Sequence, residues 1–321
     1  MKPYIQIILM ILLIMGCSEP EESGVWILSR SQSDDLTYRQ IHFANTSSGW
    51  IVGDSGSVFK SDDGGNSWHF QPTGVSSKLW DIASVTGSRA WICGSNATLL
   101  RTMDGGNSWD VLMTGDSSDG IFVRIAFATE NVGWLSNNDG SILKTTDAGD
   151  SWELSFKHPF AGSELFAFDE SIQYHIRGKL FRTFDGGMTW DSLDIQVPTN
   201  FGIAGVSFPD ENHGFISLIN GTGGMMINNY PVLSTSNAGL SWTESSMLET
   251  EGFGLTSASF VDSKLGWVAG AHYVYKTSDG GHSFLSQDVP EQFYPANMMF
   301  LDENHGWAVS YQGEVYKYVS D

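Results

Sequence analysis

The stretch SDDGGNSW, residues 61–68, decides the fold because it recurs. Residues 102–109 read TMDGGNSW, residues 145–152 TTDAGDSW and residues 183–190 TFDGGMTW. Two more copies depart at one position each: TSNAGLSW at 235–242 has Asn237 for the acid, and TSDGGHSF at 277–284 has Phe284 for the tryptophan. The third residues of the copies, 63, 104, 147, 185, 237 and 279, are separated by 41, 43, 38, 52 and 42. A period near 40 residues signals a repeat array or a propeller.

Each position has a physical task. Asp63, Asp104, Asp147, Asp185, Asn237 and Asp279 carry short polar side chains that bond their own backbone and hold a tight turn. The glycine two places on permits positive φ. Apolar pairs such as Val58-Phe59 and Leu99-Leu100 precede the copies and read as strand ends. Trp68, Trp109, Trp152, Trp190, Trp242 and Phe284 open the next strand, so each copy is a β-hairpin turn. A buried Trp there removes ~150–250 Å² from water, about 4–6 kcal/mol as an upper bound. These residues resemble the Asp-box, or bacterial neuraminidase repeat, a structural element found in enzymes and non-enzymes alike.

A second signal lies upstream of each box. Phe43 precedes Trp50 by seven residues, and the same step links Ser84 to Trp91, Phe127 to Trp134, Phe208 to Phe215, Phe260 to Trp267 and Phe300 to Trp307. In the fourth unit Phe168 to Tyr174 is one shorter. Turn-rich segments separate the two members of each pair. Each unit therefore reads as one four-stranded blade, and seven fill the chain: the expected fold is all-β, a single seven-bladed propeller. The full unit resembles the photosystem II assembly and stability factor family over about residues 38–319. That resemblance implies a seven-bladed propeller that binds membrane-protein intermediates. The family's basic patch has little counterpart here, with 16 Lys+Arg against 37 Asp+Glu. The seventh unit ends one strand short. Residues 24–28, with Trp26 in the place of a box tryptophan, are the expected fourth strand, closing the ring and removing exposed edges.

Residues 1–16 read as a targeting segment: Lys2, an apolar run, then Ile14-Met15-Gly16-Cys17, which resembles a bacterial lipobox with Cys17 as the lipidated residue. An ordinary signal peptide is the alternative; the run is too short for a plain membrane span. Residues 17–23 are an acidic tether and 24–321 the propeller. Ser18 points to an outer-membrane lipoprotein, periplasmic or surface-exposed. The formal net charge of −21 argues against nucleic acid and anionic lipid as partners. Cys93, in an apolar run, reads as a buried inert thiol.

No nucleophile–base–acid set stands out, and no cofactor or metal is expected. One Asp per turn lacks the oxygen density of a calcium loop. A sialidase would need three arginines around a carboxylate. Arg30, Arg39, Arg89, Arg124 and Arg177 show no pattern that joins three of them. The expected function is therefore non-catalytic: a monomeric, lipid-anchored propeller that binds or helps assemble an envelope or membrane protein. The alternative is a glycan-active enzyme or glycan binder. Aligning the first strands on their Phe (Ser84 in the second blade) puts mostly small residues just before it, with His42 and Met299 the exceptions. Gln40, Asp81, Arg124, Leu165, Gly205, Ser257 and Asn297 fall three before it. That varied row, with neighbours Arg39, Trp80 and Glu164, is the expected binding face. It sits at the channel mouth with the insertion at 220–231, opposite the boxes.

Overall fold

The computed structural model describes residues 24–31, 36–114, 120–158, 164–176, 178–221, 229–245, 247–250, 254–310 and 312–320. Seven antiparallel four-stranded sheets form a ring, as the repeat requires. Blade 1 runs Tyr38–Phe43, Gly49–Gly53, Val58–Ser61 and His69–Phe70 from the channel outward. The same order is repeated by blade 2 from Leu79–Ser84, blade 3 from Phe122–Phe127 and blade 4 from Glu164–Ala167. It continues with blade 5 from Phe201–Ser207, blade 6 from Leu255–Phe260 and blade 7 from Pro295–Asp302. Blade 7 takes its outer strand from the other end of the chain: Val25–Arg30 pairs antiparallel with Val315–Val319, Trp26 opposite Tyr318. Trp26 is buried against Phe293, Phe300 and Tyr318, with ring centroids 5.2–5.6 Å away. The ring thus closes as expected. Lys2, Cys17 and the rest of the lipobox and tether lie outside the described residues.

The boxes are self-contained hydrogen-bonded knots. In box 1 the Ser61 hydroxyl accepts from Gly65 N–H at 2.8 Å. Asp63 accepts the Ser67 N–H at 2.9 Å and the Ser67 hydroxyl at 2.6 Å. Those two Ser67 bonds hold the Asp63 carboxyl down at about 2. Gly65 sits at φ +83°, where a Cβ would strike the Trp307 ring. Asn237 reproduces the knot: its Oδ1 accepts from Ser241 N–H at 3.0 Å, and its Nδ2 donates to the Ser241 hydroxyl at 2.9 Å. Each box hydrogen-bonds the turn between strands one and two, for example Gly64 N–H to Ser47 O and Gly105 N–H to Ser88 O. Boxes therefore share one face of the ring, and the loops joining strands two and three lie on the other.

Between blades the repeat builds a ring sandwich. Phe43 stacks on Trp307 of the preceding blade at 3.6 Å, Phe127 on Trp91 at 3.7 Å, Phe260 on Phe215 at 3.5 Å and Phe300 on Trp267 at 3.6 Å. A glycine on the second strand seats each Phe: Gly49, Gly133, Gly266 and Gly306 all lie where a Cβ would come within 2.7 Å of that ring. Nearer the axis, side chains peg one blade to the next. Ser259 Oγ accepts from Phe300 N–H at 2.8 Å, Ser207 Oγ from Phe260 N–H at 2.9 Å, and Ser257 Oγ from Met298 N–H at 3.1 Å. Innermost strands have a free edge toward the axis, and these pegs satisfy N–H groups that would otherwise be buried alone.

Blade 4 corrects one sequence alignment. Its register pairs Ala167 with Gln173, as Phe43 pairs with Gly49 elsewhere. Ala167, not Phe168, therefore occupies the Phe slot, the step to Tyr174 is the usual seven, and the residue three before it is Glu164 rather than Leu165. Phe166 rather than Ala167 then precedes the slot, a third large residue in that row beside His42 and Met299. Phe168 packs instead edge-on to Tyr174 at 5.0 Å.

Candidate functional site

In six blades the first strand carries a β-bulge just before the varied row: the register shifts between Tyr38 and Gln40, Leu79 and Asp81, Phe122 and Arg124, Ile203 and Gly205, Leu255 and Ser257, and Pro295 and Asn297. A bulge breaks the in-out alternation and re-aims a side chain. The bulged residue and, in blades 1, 3, 5, 6 and 7, its successor then reach the channel mouth. A cavity of about 370 Å³ opens there. It is lined by bulged Arg39, Trp80, Val123, Ala204, Thr256 and Ala296 and by Gln40, Arg124, Glu164, Gly205, Ser257 and Asn297. Of the residues the sequence spacing singled out, Arg39, Gln40, Trp80, Arg124, Glu164 and Asn297 line this cavity. The spacing missed Val123, Ala204, Thr256 and Ala296, because a bulge leaves no mark in composition or period.

The mouth has two unlike walls. On the side of blades 1 to 4 the charges are pre-set. Arg124 holds Glu164 of the next blade bidentately, Nε to Oε2 at 2.9 Å and Nη2 to Oε1 at 2.6 Å. Arg39 donates to Asp54 at 2.6 Å, and its guanidinium lies 4.2 Å from the Trp80 ring centroid. Trp80 Nε1 donates to Ser95 Oγ at 2.9 Å. On the side of blades 5 to 7 the lining is small and uncharged: Ala204, Gly205, Thr256, Ser257 and Ala296.

Asp81 departs from the expected face. Its side chain is 5% exposed, below the rim, among residues that line the channel further in. Both carboxylate oxygens are engaged: Oδ1 by Gln40 Nε2 at 3.1 Å, Oδ2 by Ile125 N–H at 2.9 Å. Burial pushes this carboxyl up to about 6, with the Arg124 charge pulling the other way. Asp81 is thus a peg between blades, the acidic counterpart of Ser257. His42 lies one step deeper, its Nε2 3.2 Å from Ser84 O, and burial holds its imidazole below the ordinary value.

The described ends of the insertion at 220–231 join strands two and three of blade 5, at the mouth-face end of that blade. Its base is fastened where Asn229–Tyr230 pairs with Leu248–Glu249; residues 222–228 lie outside the described residues. Among the described arginines no trio converges. Arg30 bonds Tyr38, Arg89 pairs with Glu130 beside the box face, and Arg39 and Arg124 each hold their own carboxylate; Arg177 lies outside the described residues. Among the described residues no group of three or more His, Cys, Asp or Glu is placed to hold a metal ion. No described helix is long and apolar enough to cross a membrane. Cys93 is buried, and burial drives its thiol well above the usual range.

The family model of the photosynthesis system II assembly factor YCF48 matches residues 18–319. The chain belongs to this YCF48 family. Solved structures similar to this YCF48-family propeller include one described as YCF48 bound to D1 peptide (17% identity, TM-score 0.73, covering 95% of this chain and 100% of that one). YCF48 from Cyanidioschyzon merolae is also similar (17% identity, TM-score 0.72, 92% and 98%), as is a GH74 xyloglucanase from Xanthomonas campestris (13% identity, TM-score 0.68, 91% and 53%). At these identities the likeness is one of fold. No curated protein matches the sequence.

Proposed function

We propose that this YCF48-family propeller is a non-catalytic, lipid-anchored assembly factor that captures a segment of an envelope or membrane protein at its channel mouth. The observation that carries the reading is the bulge row. A β-bulge repeated in six blades brings its own residue, and in five of them the next one, to one cavity. It sets fixed charges and an aromatic on one wall and free space on the other. Family membership and the similar propeller bound to D1 peptide support it. The lipid anchor rests on Cys17 in its lipobox-like context and the outer-membrane location on Ser18 after it; a monomeric state belongs to the same proposal.

The test is capture from native membranes by the tagged protein, comparing Trp80→Ala/Arg124→Ala with the box variant Asp147→Ala, both confirmed folded. Capture lost only in the mouth variant is the expected result; the reverse pattern would mean the working face was wrongly chosen. Cys17→Ser should abolish lipid labelling, and labelling that persists would end the anchor reading.

A glycan-active enzyme is the second reading. It draws on the GH74 likeness and on Asp81, a channel carboxyl that burial pushes up to about 6. Turnover of a polysaccharide panel that is lost in Asp81→Asn would favour it.

A further inference from the structure

We propose that the box face of blades 4 and 5 is a second docking surface, shaped for a basic amphipathic segment of a partner protein. Two boxes differ from the others in side chains the turn does not need. The residue before the box Ser or Thr is Asn66, Asn107, Asp150 or His282 in boxes 1, 2, 3 and 6, but Met188 in box 4 and Leu240 in box 5. Box 4 also carries Phe184 where boxes 5 and 6 have Ser236 and Ser278. Met188 is 83% exposed, Leu240 63% and Phe184 47%.

The two boxes are joined. The Arg182 guanidinium lies 5.2 Å from the Phe184 ring centroid and donates to Ala238 O in box 5. Tyr174, edge-on to Phe184 at 6.1 Å, donates to Glu211 O at 2.6 Å. Acidic turns border this apolar surface. Gly186 N–H bonds Ser171 O beside Glu170, and Ala238 N–H bonds Asn212 O beside Glu211. The cations at this edge are spent on box carbonyls, Arg182 on Ala238 and Lys144 on Gly186 O at 2.8 Å. An apolar centre with an acidic border complements a segment with an apolar face and Lys or Arg flanks. The same border repels anionic lipid headgroups, which decides for a protein segment over a bilayer.

The probe is a labelled Leu/Lys amphipathic peptide, with a Leu/Glu peptide and phosphatidylcholine vesicles as comparisons. The variant Phe184→Ser/Met188→Asn/Leu240→Asn installs residues that other boxes already carry and leaves every charge in place. Wild type should bind the Leu/Lys peptide, more weakly as salt rises, and ignore the Leu/Glu peptide. The triple variant, with unchanged Tm, should bind at least about tenfold more weakly. Glu170→Gln/Glu211→Gln should weaken binding several-fold. Equal binding by the triple variant, equal binding of the Leu/Glu peptide, or wild type floating with the vesicles would each overturn the proposal. Because this surface is opposite the mouth, its failure leaves the mouth reading untouched, and the reverse holds.

Discussion

The interface between blades 6 and 7 and that between blades 3 and 4 come from one repeat and are held by different chemistry. At the first, Gly306 seats Phe300, which lies flat on Trp267 at an interplanar angle of 2°. At the second, the seat is Gln173 and the ring slot holds Ala167. Polar side chains occupy the gap: Gln173 is fully buried with neither amide atom hydrogen-bonded, and His158 Nε2 meets His175 Nε2 while both rings lean on Phe181. The glycine of the repeat is therefore a socket for an aromatic ring. In blade 4, where it is lost, the slot holds no ring and the blade contact turns polar.

This contrast can be broken by mutation. Phe300→Ala should cost about 3–5 kcal/mol, and Phe168→Ala clearly less, since Phe168 is outside a stack; equal losses in chemical denaturation would show that the sandwich has no special role. Gln173→Met should raise stability by about 1–3 kcal/mol by removing a buried amide without partners; a lower midpoint would mean that the amide is satisfied in solution. A third test uses acid. Burial lowers both imidazoles, His175 to about 3, with His158 adding to its shift. A histidine whose folded value lies below the unfolded one supports the fold fully above about pH 6.5 and loses that support as pH falls toward 3. The difference between wild type and His175→Phe should therefore grow in the variant's favour across that window; parallel curves would remove the pair from the account. Smallest, Ser259→Ala should cost about 0.5–1.5 kcal/mol, the net worth of the hydrogen bond from Phe300 N–H that it removes, measurable as a modest drop in Tm.

Much of this was legible in the chain. Six boxes at a steady period specify hairpins, and a seventh unit short of a strand specifies closure by Trp26. The mouth was legible as a row of positions that the framework does not repeat. Two things were not. The bulges insert a residue without changing composition, so Thr256 and Val123 carried no signal. In blade 4, adjacent Ala167 and Phe168 are both admissible partners for the second strand. The aromatic drew the alignment, whereas hydrogen-bond register chose the alanine. Asp81 looked like a free rim acid because sequence shows polarity and not depth.

The direction of the closing strand has a mechanical consequence. Val25 pairs with Val319 at the box end of blade 7, and Arg30 with Val315 toward the mouth. Were Cys17 lipidated as proposed, the residues between it and Gly24 would be a short leash starting from the box side, at most about 25 Å long when taut. The mouth would open away from whatever surface holds the leash. A pull on it would load the closing strand lengthwise, so that its five paired positions resist together in shear instead of unzipping one after another.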